Sequence, residues 1–273
     1  MSHAVLQAQR NLVVNPLPKG ARLCNFDCVY CGYSGSVWPR NWDLQPQFPE
    51  PEAIRRALAL AACEPGGEEL DSITIAGNGE PTLSPYLDEI VDVVVEARDR
   101  DWPQARTAIL TNGTNCHRRA VRSAVAKLDQ RVVKLDAGNN WILDQLNRPA
   151  GKLSIIELVR RISMMPEIIV RSMFVHGPVD NTRPEHIRAW AERLMRLEPL
   201  ALQIRTLDRA PARSWVRPAP LAELEEIARY VESTAGIPVH VLNGDEGVAA
   251  PQLVAAGFMP VFKRHGENSS GGA

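Results

Sequence analysis

The chain of 273 residues has no run of about 18 consecutive apolar residues, the length that a membrane-spanning helix needs. Its N-terminus also lacks a charged start followed by an apolar stretch, which is the pattern of a secretory signal. Neither sign of charge is in excess, since 31 Lys and Arg stand against 32 Asp and Glu and the net charge is −1. This balance neither favours nor excludes a nucleic-acid partner. We therefore expect a soluble, cytoplasmic protein with no membrane partner.

Cysteine is scarce, and its five copies are unevenly placed. The count is odd, and Cys24, Cys28 and Cys31 crowd into eight positions, which is a poor arrangement for disulfides. A reducing compartment and a metal site fit this pattern better. Cys63 lies on the apolar side of one predicted helix and Cys116 in the opening turn of another, and we expect both to be buried small side chains without a metal of their own.

Short apolar runs rich in Val, Ile or Leu alternate with longer amphipathic stretches along most of the chain. This alternation predicts repeated strand–helix units around one parallel sheet, in an α/β domain. The predicted strands are Asn11–Asn15, Asp71–Ala76, Arg106–Thr111, Arg131–Leu135, Ile168–Val175, Ala201–Leu207 and Pro238–Leu242. The predicted helices are Pro51–Cys63, Pro85–Arg98, Arg118–Leu128, Ser154–Met164, Pro184–Leu197 and Leu221–Thr234.

The organisation along the chain follows from the same pattern. We expect a core domain over residues 1–235, a C-terminal extension packed on it over 236–265, and a disordered tail over 266–273. The segment Pro39–Pro49 has no clear period and is interpreted as a loop near the cysteines. Several predicted strands end in polar or glycine-rich turns, and in parallel α/β folds ligands bind at that edge.

The three clustered cysteines have the spacing Cys-x3-Cys-x2-Cys, on a loop that follows the first predicted strand. Three thiolates from so short a segment can bind one iron–sulfur cluster. A cubane has four irons, so three protein ligands leave one iron open for chemistry. A structural zinc site or a redox pair is the alternative, but zinc usually takes four Cys or His ligands.

This spacing, with the aromatic Tyr30 directly before Cys31, resembles the radical S-adenosylmethionine (SAM) superfamily. The resemblance implies a partial (β/α)6 barrel with a C-terminal extension, and a 4Fe-4S cluster bound by Cys24, Cys28 and Cys31. It also implies that SAM binds the open iron and is cleaved reductively to a 5′-deoxyadenosyl radical. That radical then abstracts hydrogen from a substrate, in oxidoreductase or lyase chemistry.

A second motif is the glycine turn Gly77-Asn78-Gly79-Glu80, at the end of the second predicted strand. Glycine permits close backbone approach, and Glu80 can receive an ammonium group. The turn resembles the Gly-Gly-Glu motif of the superfamily, although Asn78 separates the two glycines here. The resemblance implies that the turn binds the amino group of SAM. A tight turn with a solvated acid is the alternative.

Two charged residues, Lys134 and Asp136, are two apart on a predicted strand and so point to the same side. That side is the barrel interior if Val133 and Leu135 face the helices. Charged groups inside a barrel require partners, and the ribose and carboxylate of SAM would supply them, with Arg171 on the next strand sharing the task. The alternative is a salt bridge between Lys134 and Asp136 at the rim.

Several other residues belong to the predicted rim of the site. Tyr30 and Asn112 are expected to contact the cofactor, and Thr206 is a further candidate, although a turn residue and a satisfied hydroxyl explain Asn112 and Thr206 equally well. His176 follows the fifth predicted strand and receives no role, because a lone His at a loop start is more often merely polar. No catalytic residue is predicted.

The resemblance extends from about Val13 to Ala228 and includes the segments Val133–Ala137, Met173–Gly177 and Gln203–Arg209. Together these look most like the branch of wyosine-type tRNA synthases and their bacterial relatives. Those synthases carry additional N-terminal cysteines, and none precedes Cys24 here. The strand Ile169–Val175 is similar to one in activases of glycyl-radical enzymes. The substrate is therefore open among tRNA, a peptide or protein, and a small molecule. A flavodoxin or ferredoxin is the implied electron donor, and a non-catalytic iron–sulfur sensor or scaffold is the non-enzyme alternative.

Overall fold

The computed structural model describes most of the chain, and the fold is built from these residues: 10–19, 22–33, 47–64, 70–208, 211, 213–242 and 252–254. Most of the predicted loop Pro39–Pro49 and the whole predicted tail 266–273 lie outside the described residues. No helix within the described ranges is long and apolar enough to span a membrane.

A single parallel sheet of eight strands forms the centre of the fold. The strands are β1 (Asn11–Val14), β2 (Ser72–Ile75), β3 (Arg106–Thr111), β4 (Gln130–Lys134), β5 (Ile168–Met173), β7 (Ala201–Arg205), β9 (Val239–Leu242) and β10 (Gln252–Val254). They pair in the order β10-β1-β2-β3-β4-β5-β7-β9, so that β9 and β10 are the two edges of an open sheet. The predicted partial barrel of the α/β class is confirmed.

In the described residues, seven α-helices connect the strands and pack on the outside of the sheet. They are α1 (Pro51–Cys63), α2 (Leu87–Asp101), α3 (Arg119–Val125), α4 (Asn140–Ile142), α5 (Ile155–Ile162), α6 (Pro184–Leu197) and α7 (Leu221–Ala235). Proline occupies the first turn of α1 and α6, where its missing N–H costs nothing. Ser154 caps α5 by accepting from Glu157 N, and Gly236 ends α7 in the left-handed conformation.

Neighbouring rows of residues across the sheet differ in polarity and burial, because they belong to opposite faces. Val133, Val170 and Leu202 are in register across three strands and are fully buried. The adjacent row, Lys134, Arg171 and Gln203, is also in register and only half-buried. Because successive side chains on a strand point to opposite faces, this polar row lines the barrel interior. Lys134 therefore points inward, as the strand pattern predicted.

The fifth predicted strand, Ile168–Val175, is interrupted in the structure. Phe174 N still donates to Arg205 O, at 2.8 Å, but Val175 N turns to the side-chain oxygen of Asn181, at 2.9 Å. The chain then leaves the sheet, and β6 (Val175–His176) pairs antiparallel with β8 (Arg217–Pro218). A side chain six residues away therefore ends the strand earlier than its apolar pattern indicates.

Other differences concern helix ends and cysteine burial. A 3-10 turn, Pro81–Leu83, precedes α2, which consequently starts two residues after the predicted proline entry. Cys63 is exposed at the last residue of α1, so the expectation of burial was wrong there, because this position lies off the buried face of the helix. Cys116 is fully buried, as expected.

The C-terminal region contributes to both edges of the sheet. β9 pairs with β7, and β10 pairs with β1, both in parallel. β10 was not among the predicted strands. The division into a core over 1–235 and a packed extension over 236–265 stays a prediction.

Candidate active site

The three clustered cysteines lie on a loop that crosses the carboxyl edge of the sheet after β1. This cysteine loop, residues 22–33, pairs with residues 146–150, which begin within the π turn Leu143–Asn147 and continue past it. Three backbone hydrogen bonds of 3.1, 2.9 and 2.9 Å join the two segments, from Asp27 N to Arg148 O, from Val29 N to Leu146 O and from Ala150 N to Asn25 O. The loop is therefore held by the backbone of a distant segment.

The thiols of this loop are shielded from solvent and receive N–H donors. Cys24 is buried, Cys28 and Cys31 are half-buried, and none of the chain's five cysteines, all of them described, forms a disulfide. Phe26 N donates to Cys24 Sγ at 3.4 Å, and Asn147 Nδ2 donates to Cys28 Sγ at 3.4 Å. Burial raises the pKa of Cys24 to about 12 and also raises the pKa of Cys28. Metal binding would therefore displace protons, and the N–H donors suit sulfurs that carry negative charge.

The arrangement of the thiols fits a cluster better than a single ion. In the part of the chain that the structure describes, no three His, Cys, Asp or Glu side chains converge where one metal ion would be held. A cubane does not need such convergence, because each thiolate binds a different iron. The donor set, three thiols on one loop with N–H groups directed at two of the sulfurs, fits a cubane with one open iron.

Glu80 ties together the ends of β2 and β3. Its Oε1 accepts from Thr82 N at 3.0 Å, Thr82 Oγ1 at 2.5 Å and Thr111 Oγ1 at 2.6 Å, and its Oε2 accepts from Asn112 N at 2.7 Å. Burial raises the pKa of Glu80, and these hydrogen bonds oppose that shift by favouring the carboxylate. The carboxylate is thus a buried organiser of the strand ends, next to the glycine turn.

The glycine turn lies directly against the segment that leads into Cys24. Glu80 N donates to Leu23 O at 2.9 Å, and a Cβ on Gly79 would overlap the same carbonyl. Asn78 Nδ2 donates to Pro18 O at 3.0 Å. Only glycine allows the turn and the cysteine loop to approach so closely, which brings the two predicted motifs together at one edge of the sheet.

Asn112, which follows β3, also contacts the cysteine loop. Its Nδ2 donates to Asn25 Oδ1 at 2.7 Å and lies 3.9 Å from Cys24 Sγ. Its Oδ1 accepts from Thr114 N at 3.1 Å, within the turn. Asn112 is therefore both a turn residue and a neighbour of a predicted cluster ligand.

Lys134, Asp136 and Tyr30 form one buried network with a residue that the sequence did not predict, Asn147. Lys134 Nζ donates to Tyr30 OH at 2.7 Å, and Tyr30 OH donates to Asp136 Oδ2. Asp136 also accepts from Asn147 Nδ2 at 2.7 Å and from Met173 N at 2.8 Å. Burial and the Asp136 charge raise the pKa of Tyr30, which keeps the phenol protonated. The charges in the interior thus have partners from the chain itself.

The alternative salt bridge is also present in this network. Lys134 Nζ lies 3.8 Å from Asp136 Oδ2, and the Asp136 side chain is only 1% exposed. The pair therefore lies inside the barrel and not at a solvated rim. Roles of either residue in SAM binding remain predictions.

Arg171 brings a positive charge into the barrel interior, and no acidic side chain of the described residues pairs with it. Its Nε donates to Gln203 Oε1 at 2.8 Å, which is a neutral partner. Burial and the nearby charge of Arg205 lower the pKa of Arg171 to about 10. Arg205 is paired with Asp208 at 2.7 Å. Such a site attracts an anion, and the carboxylate of SAM is the predicted one.

The two remaining candidates have structural roles in the hydrogen-bond pattern. Thr206 Oγ1 donates to Phe174 O at 2.9 Å and accepts from Ala219 N at 2.8 Å, so its hydroxyl is satisfied within the fold. His176 places Nε2 2.6 Å from Glu223 Oε2, in the first turn of α7. Its Nδ1 lies 3.1 Å from Asp180 Oδ2. Burial lowers the pKa of His176, but the two carboxylates outweigh this and raise it, and the ring links β6 to α7 through Glu223.

An open parallel barrel with a three-cysteine loop at its carboxyl edge defines a class of cluster-binding α/β proteins. The family model described as "Radical SAM superfamily" matches residues 20–190, and the chain belongs to that superfamily. The family uses a 4Fe-4S cluster and SAM, which confirms the cofactor prediction at the level of the family.

Relatives and solved structures agree with this assignment. A UPF0026 protein of Methanocaldococcus jannaschii is 27% identical over 233 residues, which cover 83% of this chain and 68% of the relative. SuiB of Streptococcus suis bound to S-adenosylmethionine has a TM-score of 0.61 at 16% identity, over 88% of this chain and 52% of SuiB. TYW1 with a lysine-pyruvate adduct has a TM-score of 0.56 at 15% identity, over 83% of this chain and 72% of TYW1. At these identities the structural likeness shows the fold, and the chain spans about half of SuiB.

Proposed function

We propose that the chain is an enzyme that binds a 4Fe-4S cluster through Cys24, Cys28 and Cys31 and cleaves SAM to a radical that abstracts hydrogen from a substrate. The observation that carries this proposal is the contact between the two motifs, in which Glu80 N donates to Leu23 O next to Cys24. When bound, the cluster supplies the electron for the cleavage of SAM. The chain supplies the ligands, the cofactor contacts and the shielding from water.

The residues around the cysteine loop differ in chemistry, and each kind suits a different group of SAM. The backbone of Gly77–Glu80 is close enough to the cysteine loop to bind the amino group of SAM beside the open iron. One further hydrogen bond is possible at Glu80 Oε2, since a carboxylate oxygen accepts about two and Asn112 N is its partner among the described residues. Arg171 and Lys134 offer positive charge to the carboxylate of SAM. These contacts extend the predicted cofactor site over three strand ends.

The substrate class is proposed from similarity alone. Structural neighbours include SuiB bound to the precursor peptide SuiA and TYW1 with a lysine-pyruvate adduct bound, and the sequence resembles the wyosine-type tRNA synthases. A peptide or protein and a tRNA nucleoside are therefore the first substrates to test, with small metabolites next. We further propose a flavodoxin or ferredoxin as electron donor. A sensor or scaffold without catalysis would keep the cluster but would not cleave SAM.

Electron paramagnetic resonance of the reduced cluster tests cofactor binding directly. The anaerobically reconstituted protein should give a 4Fe-4S signal that changes shape when SAM is added, because SAM replaces the labile ligand of the open iron. An unchanged signal at saturating SAM would exclude this mode of binding and would favour the sensor or scaffold alternative.

Glu80→Ala should retain the cluster but weaken SAM binding about tenfold, because the ends of β2 and β3 lose their common acceptor. The buried N–H and O–H donors then have no acceptor, which should lower the free energy of unfolding by about 2–4 kcal/mol. Iron content, equilibrium dialysis with labelled SAM and urea denaturation measure the three quantities. Glu96→Ala is the matched control, because that carboxylate is 55% exposed and pairs only with Arg55 in the described residues. SAM affinity equal to that of the wild type would contradict the role of Glu80.

A further inference from the structure

Asn147 is a buried residue at the end of the π turn, and it contacts the site through three partners at once. It is 3% exposed. Its Nδ2 lies 2.7 Å from Asp136 Oδ2, 3.4 Å from Cys28 Sγ and 3.3 Å from Tyr30 OH. π turns are rare and often occur at functional sites.

The orientation of the Asn147 amide is determined by Asp136. A carboxylate only accepts hydrogen bonds, so the NH₂ group and not the oxygen of Asn147 must face it. Tyr30 OH donates to the same carboxylate oxygen, so its own oxygen is left to accept from Lys134 Nζ and from the amide. With one amide hydrogen directed at Asp136, the other points toward Cys28 Sγ and Tyr30 OH. The geometry therefore fixes an N–H donor on the sulfur.

The backbone around Asn147 holds the same part of the cysteine loop. Leu146 O accepts from Val29 N at 2.9 Å, and Arg148 O accepts from Asp27 N at 3.1 Å. Arg148 has a left-handed backbone, with φ 51°, which ends the π turn and directs the chain along the loop. The residues on both sides of Cys28 are thus fixed to the residues on both sides of Asn147. This double attachment makes the N–H···S contact a built feature and not a chance approach.

We propose that Asn147 is a positioning residue that raises the reduction potential of the cluster through its hydrogen bond to the Cys28 sulfur. This inference rests on the proposed function, because it requires a cluster bound by Cys28. Hydrogen bonds to cluster sulfurs stabilise negative charge, and the reduced cluster carries one electron more than the oxidised one. The donor therefore favours the reduced state. Asp136 acts on the cluster indirectly, by orienting the amide.

Redox titration of the reconstituted protein, followed by electron paramagnetic resonance without SAM, tests this role. Asn147→Leu keeps a branched side chain of four heavy atoms and removes the donor. We expect the equilibrium constant for one-electron reduction to fall about tenfold, the effect of one hydrogen bond to a charged group, which corresponds to a potential about 59 mV more negative. Asn147→Ala should shift the potential in the same direction. Asn115→Leu is the matched control, because that buried amide donates to Thr82 and not to a sulfur.

The outcomes separate this inference from the proposed function. A wild-type protein that binds no 4Fe-4S cluster would overturn both. A wild-type cluster with the same potential in Asn147→Leu, Asn147→Ala and the control would overturn only the role of Asn147. Loss of the cluster from both Asn147 variants, with the control intact, would also overturn it, since Asn147 would then serve assembly and not the potential.

Discussion

Replacing Cys24, Cys28 or Cys31 by Ala is expected to abolish cluster binding and, with it, all cleavage of SAM. Two thiolates cannot hold a cubane that needs three, and the other two cysteines lie elsewhere, Cys63 at the end of α1 and Cys116 in the turn before α3. Iron and acid-labile sulfide should fall from about four of each per chain to background. Both are measured after anaerobic reconstitution, together with the visible absorption of the cluster.

Cys63→Ala is the matched control for these variants. Cys63 is exposed at the end of α1, so its removal should leave iron content and absorption unchanged. A Cys24→Ala protein with full iron content would show that Cys24 is not a ligand. Equal losses in Cys63→Ala and Cys24→Ala would point to general misfolding in place of a specific ligand role.

Gly79→Ala is expected to weaken SAM binding about a hundredfold, although it adds a single methyl group. The new Cβ would overlap Leu23 O, a backbone atom that cannot move away without shifting the segment next to Cys24. A displacement of about 1 Å at a positioned site can cost about a hundredfold in function. Equilibrium dialysis with labelled SAM measures the affinity, and the iron content shows how far the cysteine loop has moved.

Gly151→Ala provides the comparison for this effect. A Cβ at Gly151 meets no atom within 4 Å, so the same chemical change should leave SAM affinity and cluster content as in the wild type. If Gly79→Ala binds SAM as tightly as Gly151→Ala does, the turn does not approach the cofactor as proposed.

Local pattern was sufficient to predict most of the fold. The helices Pro51–Cys63 and Pro184–Leu197 and the strand Arg106–Thr111 have the bounds that their sequences indicate. Proline in the first turn and an amphipathic period mark the helices, and an apolar β-branched run marks the strand. These signals depend only on neighbouring residues, so the sequence contains them in full.

Long-range contacts account for what the sequence did not predict. β10 has three residues, and its place beside β1 depends on a pairing between opposite ends of the chain. The end of β5 depends on the side chain of Asn181, which replaces a strand partner for Val175 N. Neither feature has a period or spacing that a local pattern could reveal.

The site shows the same division between local motif and distant partner. Because Lys134 and Asp136 are two residues apart, the strand pattern correctly placed both side chains in the barrel interior. Their partners could not be predicted, because Tyr30 lies 106 residues before Asp136. Asn147 lies 119 residues after Cys28, within a sequence that has no recognisable motif. The fold alone brings these residues together.

The most direct test of the central claim is the release of 5′-deoxyadenosine. The protein is reconstituted anaerobically with iron and sulfide, reduced with dithionite and mixed with SAM, and the products are separated by chromatography. We predict slow formation of 5′-deoxyadenosine and methionine without substrate, which is absent in the Cys24→Ala variant. A protein that holds a 4Fe-4S cluster, yet neither binds nor cleaves SAM, would contradict the claim and leave Glu80, Lys134 and Asp136 as structural charges.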